Sequence, residues 1–192
     1  MPTDKRIIKT KKAITEAFMQ LTMEKEIEKI TVSDIAEKAY INRSTFYLHY
    51  ADARDVMNDI EREMGDNIYS CIENFDTDKP YESTYTLLIS LTNAIDKVDS
   101  FKNFLLHSKC SEYLTAKMKK LFVEKGIESA LKRTQLTDTN DLKLALTYIT
   151  AGIIDTYTKW AGDEGNAMPL DELCGKISEF TEAAIQKLKK YY

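Results

Sequence analysis

The side chains best suited to chemistry in this 192-residue chain are crowded into one short segment, NRSTFYLHY, at residues 42–50. A cation, two hydroxyls, two phenols and an imidazole lie within about two helical turns of one another. Hydrogen-bonding groups at this density suit contact with a polar partner, and double-stranded DNA is one such partner.

Five side chains of this segment match the surface of DNA. Arg43 can make a bidentate contact to guanine or neutralise a phosphate. Ser44 is small enough to allow close approach to base edges, and Thr45 offers a hydroxyl and a methyl group. Tyr47 and His49 supply donors at the height of the phosphates, which would fix the register without reading sequence. We therefore expect all five to contact DNA.

A helix-turn-helix would position these side chains. The pattern predicts a short helix over 33–39, a tight turn at 40–42 and a second helix over 43–49. Thr31 and Ser33 offer N-cap oxygens, and the backbone N–H groups beside them can reach a phosphate. The expected inward residues are Ile35, Ala36, Ala39, Ile41 and Phe46, with Leu48 facing outward beside the five DNA contacts. Short helix pairs also occur in proteins that never touch DNA, so spacing alone leaves both interpretations open.

The helical period continues along almost the entire chain, and glycine (6) and proline (3) are scarce. We therefore expect an all-α fold of about nine helices, with an N-terminal helix-turn-helix domain of three helices. The predicted ranges are 5–23, 33–39, 43–49, 53–75, 81–97, 100–108, 111–133, 139–161 and 169–190. Asn42 and Asp52 are expected to cap the third and fourth of these helices.

Charge and composition bound the class of protein. The net charge is −4, but the first twelve residues carry five basic side chains against one acidic one. This concentration fits an arm that binds DNA, and an ordinary solvated helix face is the alternative. No apolar run approaches the roughly 18 residues that cross a bilayer, and no signal peptide is evident. Three widely spaced cysteines suggest a reducing compartment, so we expect a cytoplasmic protein.

The segment ITVSDIAEKAYINRSTFYLHYADARDV, residues 30–56, resembles the helix-turn-helix signature of the tetracycline-repressor (TetR/AcrR) family. With the helix before it, the likeness covers about 50 residues. The resemblance implies a DNA-binding domain at 1–52 and a helical domain at 53–192 that binds an effector and dimerises. It also implies a homodimeric repressor that binds double-stranded operator DNA and is released by a small molecule. Residues 148–173 are similar to a subgroup around regulators of dihydroxyacetone-kinase operons.

The sequence departs from the family pattern at three positions. Tyr40 stands where the turn usually has glycine, which suggests a different turn or some strain. Ala51 and Ala53 stand where lysines usually follow the recognition helix, and the second of these lysines normally contacts a phosphate. Arg54 can compensate from the next position, and the basic N-terminal arm can do more of the work. Thr31, Ser33 and Arg54 are the expected supporting phosphate contacts. If nothing compensates, the protein is a co-regulator or protein-interaction module that has lost strong DNA binding.

The larger domain is expected to hold the effector and the dimer interface. The aromatic residues and methionine considered for the pocket are Tyr85, Phe101, Phe104, Tyr113, Met118, Phe122 and Tyr148; the same spacing is also what a plain core looks like. The helix faces expected at the interface carry Ala145, Ile149, Gly152, Ile153, Thr156 and Trp160, then Leu173, Ile177, Phe180, Ala184 and Leu188. These faces could instead bury against their own domain.

An enzyme is not expected. The two histidines, His49 and His107, show no metal-ligand spacing, and no glycine-rich phosphate loop is present. Cys110 lies three residues from His107, but a buried structural cysteine is the simpler interpretation. We expect no metal ion and no cofactor.

Overall fold

A computed structural model describes residues 5–96, 99–133, 139–163, 165 and 168–188. Within these ranges the chain forms nine α-helices and one short 3-10 helix, with no strand. The helices are α1 (Lys5–Leu21), the 3-10 helix (Ile27–Lys29), α2 (Val32–Lys38), α3 (Arg43–Tyr47), α4 (Ala53–Glu73), α5 (Pro80–Asp96), α6 (Asp99–His107), α7 (Ser111–Arg133), α8 (Asn140–Gly162) and α9 (Leu170–Leu188). The all-α class is confirmed, and the helix ends agree with the sequence pattern to within two residues. The expected ends at 97 and 190 lie outside the described residues.

Packing divides the chain into two compact units, and the first combines the described parts of Met1–Met64 and Val98–Leu114. Within it α1 packs on α2 and α6, and α2 packs on α3. The Lys109 N–H donates to the Thr22 carbonyl at 2.9 Å, which fastens the residues after α6 to the end of α1. Its fully buried side chains include Ile14, Phe18, Ile35, Phe46, Val56, Met57 and Phe104.

The second unit combines the described parts of Gly65–Lys97 and Thr115–Tyr192. Here α5 packs along α9, and α9 also packs on α8. Its buried side chains include Leu88, Val123, Ile154, Tyr157, Leu173 and Ile177. A buried hydrogen bond of 2.7 Å between the Tyr157 and Thr92 hydroxyls links α8 to α5. The Trp160 indole donates to the Met168 carbonyl at 2.8 Å and holds the residues before α9.

The boundary between the two packing units falls inside α4, after Met64. The family resemblance implied a functional boundary between residues 52 and 53, at the start of this helix. The first half of α4 therefore packs with the helix-turn-helix. The division into a DNA-binding domain at 1–52 and an effector domain at 53–192 stays a prediction. Among the described helices, none is both long and apolar enough to cross a lipid bilayer.

Candidate nucleic-acid interface

A complete capping box starts the first helix of the helix-turn-helix. Thr31 is the N-cap of α2, and its hydroxyl oxygen accepts the Asp34 N–H at 3.1 Å. Asp34 accepts the Thr31 N–H at 2.9 Å and pairs with Lys25 at 2.9 Å. The Thr31 N–H and then the Lys25 ammonium lower the pKa of Asp34 from 3.8 to about 2. Thr31 is thus the cap that was expected, whereas Ser33 lies exposed inside the first turn of α2.

The turn between the two helices contains a tyrosine in the left-handed region. Tyr40 has φ 56°, and its side chain is 97% exposed. The Ile41 N–H donates to the Ala36 carbonyl at 2.9 Å and the Tyr40 N–H to the Glu37 carbonyl at 3.1 Å. This pair of bonds is a Schellman motif, in which the residue after the helix normally is glycine. The strain suggested by the sequence is therefore present in the backbone at Tyr40.

Phe46 anchors the second helix to the interior of the first unit. Its side chain is fully buried, and its ring contacts Tyr50 with centroids 6.0 Å apart. Arg43, Ser44 and Tyr47 are exposed, whereas Thr45 and His49 are half-buried. The structure thus brings the five expected contact residues onto one short helix and the residues just after it, with Phe46 inward. Asn42 occupies the N-cap position of α3, but its side chain makes no capping hydrogen bond.

A polar cluster joins the end of this segment to two other helices. The Tyr50 hydroxyl donates to Asp59 on α4 at 2.7 Å, and Lys11 on α1 lies 3.5 Å from the same carboxylate. Arg62 also pairs with Asp59, and the Lys11 ammonium lies 5.1 Å from the centre of the Tyr50 ring. Burial acts to raise the pKa of Asp59, but the Tyr50 hydroxyl and the two cations outweigh it and lower that pKa. Burial and the Asp59 hydrogen bond raise the pKa of Tyr50.

This cluster could not be read from the sequence. Asp59 is nine residues from Tyr50 and 48 residues from Lys11, and no local spacing relates the three side chains. The only signal was Tyr50 itself, a polar aromatic at the end of the recognition segment. The cluster holds the end of that segment against α1 and α4.

The start of α4 also shows the expected cap. Asp52 accepts the Asp55 N–H at 2.8 Å, and Asp55 accepts the Ala51 N–H at 3.0 Å. Ala51 is exposed and Ala53 is buried at the start of this helix. Arg54 is exposed but pairs with Glu28 at 3.1 Å. Arg54 can therefore contact a phosphate only by leaving Glu28. The ion pair between them is weak, because both side chains face solvent.

The residues expected to line an effector pocket are scattered. Phe104 is buried in the first unit, and in the same unit the Tyr113 hydroxyl donates to Glu61 at 2.7 Å. In the second unit Tyr85 donates to Asp171, and Phe122 is half-buried. Tyr148 is 77% exposed on α8. Of the remaining two, Phe101 is half-buried and Met118 is buried. Their role in binding an effector stays a prediction.

Two open cavities lie within the second unit, and no residue of the expected pocket set lines either of them. One has about 400 Å³ and lies between α4 and α7, beside Tyr69, Glu73, Lys125 and Glu128. The other has about 500 Å³ and lies along the end of α4 and the start of α5, where Cys71, Phe75, Ser83 and Leu87 line it. Among the described residues no group of three side chains could hold a metal ion.

Comparison with known proteins finds similarity in sequence and in fold. No family model matches the chain. The HTH-type transcriptional regulator YxbF of Bacillus subtilis (strain 168) is 28% identical over 195 residues, which cover 98% of this chain. The match covers 47% of YxbF, so the chain spans about half the length of this relative.

Several solved structures share the fold over nearly the whole chain. The dihydroxyacetone kinase operon activator DhaS is 22% identical with a TM-score of 0.54, covering 93% of this chain and 97% of DhaS. A TetR transcriptional regulator from Streptococcus agalactiae 2603V is 20% identical with a TM-score of 0.59, over 93% and 96%. The fatty acid degradation regulator FadR from Bacillus halodurans is 20% identical with a TM-score of 0.58, over 90% and 94%. The resemblance expected from the recognition segment is confirmed at the level of fold: the chain has the helical fold of the TetR-family regulators.

Proposed function

We propose that this protein is a DNA-binding transcriptional regulator, a homodimeric repressor that a small-molecule effector releases from double-stranded operator DNA. The observation that carries the proposal is the orientation of the segment after Asn42. Phe46 is fully buried, while Arg43, Ser44 and Tyr47 are exposed. Lys11 of the basic α1 lies over the ring of Tyr50 at the end of the same segment. A short helix held by one buried anchor and presenting a cation and hydroxyls has the form of a major-groove reader. Under this proposal the protein works in the cytoplasm, where its operator lies.

The unpartnered faces of the last two helices support a dimer. On α8, Leu144 is 71% and Tyr148 77% exposed, and on α9, Phe180 is 74% exposed. A Cβ atom on Gly152 would meet nothing within 4 Å, so the α8 face is open at that position. Large exposed apolar side chains on adjacent helices are typical of a protein–protein interface. Leu173 and Ile177, expected at the same interface, are instead buried in their own unit because their side of α9 forms its core.

The effector would act by shifting a conformational equilibrium. A two-fold dimer reads two successive major grooves only when its recognition helices are about 34 Å apart. A ligand that binds more tightly to dimers with another spacing would lower the affinity for DNA. The largest decrease that it can cause is set by the ratio of its own affinities for the two states. The fold is shared with DhaS, which is named an operon activator. A separate measurement therefore tests whether the protein represses or activates transcription. Transcription from the upstream promoter with and without the protein supplies it.

The alternative is a co-regulator with this fold that has lost strong DNA binding. Ala51 and Ala53 supply no phosphate contact, and Arg54 already pairs with Glu28. Each missing phosphate contact lowers the slope of log affinity against log salt by about one, and a two-fold dimer doubles the loss.

A salt-titrated binding assay separates the two functions. The probe is the duplex upstream of the protein's own gene, and the variant is Arg43→Ala combined with Tyr47→Ala. A regulator should bind this duplex with a steep salt dependence, and the double variant should bind at least tenfold more weakly with a shallower slope. The exposed Lys120→Ala on α7 is the matched control and should change neither quantity. Weak binding that is indifferent to all these substitutions would favour the co-regulator.

A further inference from the structure

The outermost residues of the recognition segment are a serine and a leucine. Leu48 continues the right-handed backbone of α3, with φ −73° and ψ −15°. Ser44 and Leu48 each lie two residues from Phe46, which is about 200° around a helix at 3.6 residues per turn. Because Phe46 points into the protein, both side chains stand on the opposite, outermost side. Being four residues apart, they are also neighbours on that side.

Leu48 is an exposed aliphatic side chain in a position that a groove would cover. It is 81% exposed, and the described residues of its own unit leave it uncovered. It is flanked by the cation Arg43 and by the hydroxyls of Ser44 and Tyr47. A lone exposed leucine is ordinary on a protein surface. Under the proposed DNA binding, however, Leu48 stands on the side of the recognition helix that enters the major groove, so the base edges would cover it.

We propose that Leu48 is a specificity-determining residue that reads the C5-methyl group of a thymine in each half of the bound site. This inference rests on the proposed DNA binding and assigns the apolar part of its readout. The thymine C5-methyl is the only methyl group among the base edges of the major groove. Against guanine, adenine or cytosine, the leucine would instead cover polar atoms without hydrogen-bonding to them, and this desolvation opposes binding.

The test removes single methyl groups from the DNA. Sites are first selected from a random duplex library with the full-length protein. Each thymine of the selected site is then replaced by deoxyuracil, and dissociation constants are measured at one salt concentration. We expect one or two thymines in each half-site at which loss of the methyl weakens wild-type binding about fourfold. In Leu48→Ala the same replacements should have no effect.

Matched controls separate this readout from other causes. Leu131→Ala removes an exposed leucine from α7 and should keep the full sensitivity to deoxyuracil. Leu48→Gln should move the preference at the affected position from thymine towards adenine, because glutamine pairs with the adenine N6 and N7 atoms. This gain of a new preference requires a folded variant, so it also excludes misfolding as the explanation.

Two results would overturn the inference in distinguishable ways. Selected sites that tolerate every deoxyuracil, or a methyl effect that persists in Leu48→Ala, would refute the role of Leu48 and leave DNA binding intact. Failure to enrich any duplex would refute the proposed DNA binding, and the inference with it.

Discussion

At the scale of single residues, Tyr40 shows that the turn depends on backbone geometry more than on side-chain identity. The two hydrogen bonds of the Schellman motif form although a tyrosine holds the left-handed position. That conformation costs a non-glycine L-residue roughly 1–2 kcal/mol. The Tyr40 side chain is 97% exposed, so its burial contributes little free energy to offset this cost. The helix-turn-helix therefore carries strain that the surrounding core stabilises.

Replacing Tyr40 with glycine should relieve this strain. Tyr40→Gly is expected to raise the free energy of unfolding by about 1 kcal/mol, after allowing for the greater freedom of glycine in the unfolded chain. Urea denaturation followed by circular dichroism measures the change. Tyr40→Ala keeps the left-handed penalty and should leave the stability nearly unchanged. Equal stabilisation by both substitutions would mean that the tyrosine side chain, not the backbone, is the cause.

The Tyr50 hydroxyl makes a different kind of residue-scale contribution, since it satisfies a partly buried carboxylate. Tyr50→Phe should lower the free energy of unfolding by about 1.5 kcal/mol, because a hydrogen bond to a charged group is lost while the ring is kept. Tyr47→Phe, on an exposed ring, should change it by less than about 0.5 kcal/mol. Thermal or urea unfolding compares the two variants. Similar effects from both would contradict a special role for the Asp59 contact.

The same contact should make stability depend on pH. The pKa of Asp59 is lower in the folded chain than its ordinary value of 3.8. Its stabilising effect is therefore complete above about pH 4 and is lost as the pH falls through the folded value. The difference between wild type and Tyr50→Phe should shrink in acid, because protonated Asp59 no longer needs the hydroxyl as a donor to a negative charge.

At the scale of elements, the capping box decides where α2 begins. The side chain of Thr31 accepts the Asp34 N–H, which has no partner within the helix. The Asp34 carboxylate in turn accepts the Thr31 N–H. Ser33 was an equally good N-cap candidate by residue type. The difference lies in the backbone, because Thr31 is extended at φ −97° and ψ 158° while Ser33 is already helical.

Thr31→Ala should therefore lower the free energy of unfolding by about 1 kcal/mol, the usual effect of losing an N-cap. Ser33→Ala, the matched control, should change it by less than about 0.5 kcal/mol. Guanidinium unfolding at pH 7 measures both. Reversed magnitudes would place the helix start two residues later than the structure does.

Asp34 makes this element sensitive to acid. Its pKa is lowered to about 2, so its contribution is complete above pH 4 and is lost as the pH falls through 2. Asp34→Asn should be less stable than wild type by about 1 kcal/mol at pH 6, and this difference should shrink as the pH falls towards 2. Unfolding curves between pH 6 and pH 2 test this, and a difference that stays constant in acid would exclude the charged form of Asp34 as the source.

At the scale of the whole molecule, α8 and α9 leave large apolar side chains exposed. Under the proposed dimer, Tyr148→Glu combined with Phe180→Glu buries two charges at the interface. The dimer dissociation constant should rise by roughly 100-fold or more. Analytical ultracentrifugation measures this, and Leu131→Glu on α7 is the control that should not change assembly. If this variant remains dimeric, the dimer interface lies on another surface.

The loss of the dimer should carry over to DNA binding. A monomer holds one recognition helix and can contact one half-site, so its affinity for a two-fold site should fall steeply. Full operator affinity in a monomeric variant would contradict the proposed mode of action, even if the interface were correctly located.

The sequence by itself determined the elements and the recognition segment. Helical period, scarce glycine and the caps at Thr31 and Asp52 are signals between residues close in the chain, and they predicted nine helices to within two residues. The direction of Phe46 followed from the same periodicity. The likeness of the recognition segment to the TetR family predicted the fold of the whole chain. This includes the C-terminal part, which resembles the family only in the arrangement of its helices.

Only the tertiary structure decided which apolar faces are covered and which distant polar groups meet. Periodicity marks an apolar face but does not name its partner, so Leu173 and Ile177 looked like Phe180 although they are buried and it is exposed. The meeting of Tyr50, Asp59 and Lys11 depends on α1, α4 and the residues after α3 packing together, and no local rule encodes it. Burial and long-range pairing are properties of the packed chain, because each requires residues that the sequence keeps apart.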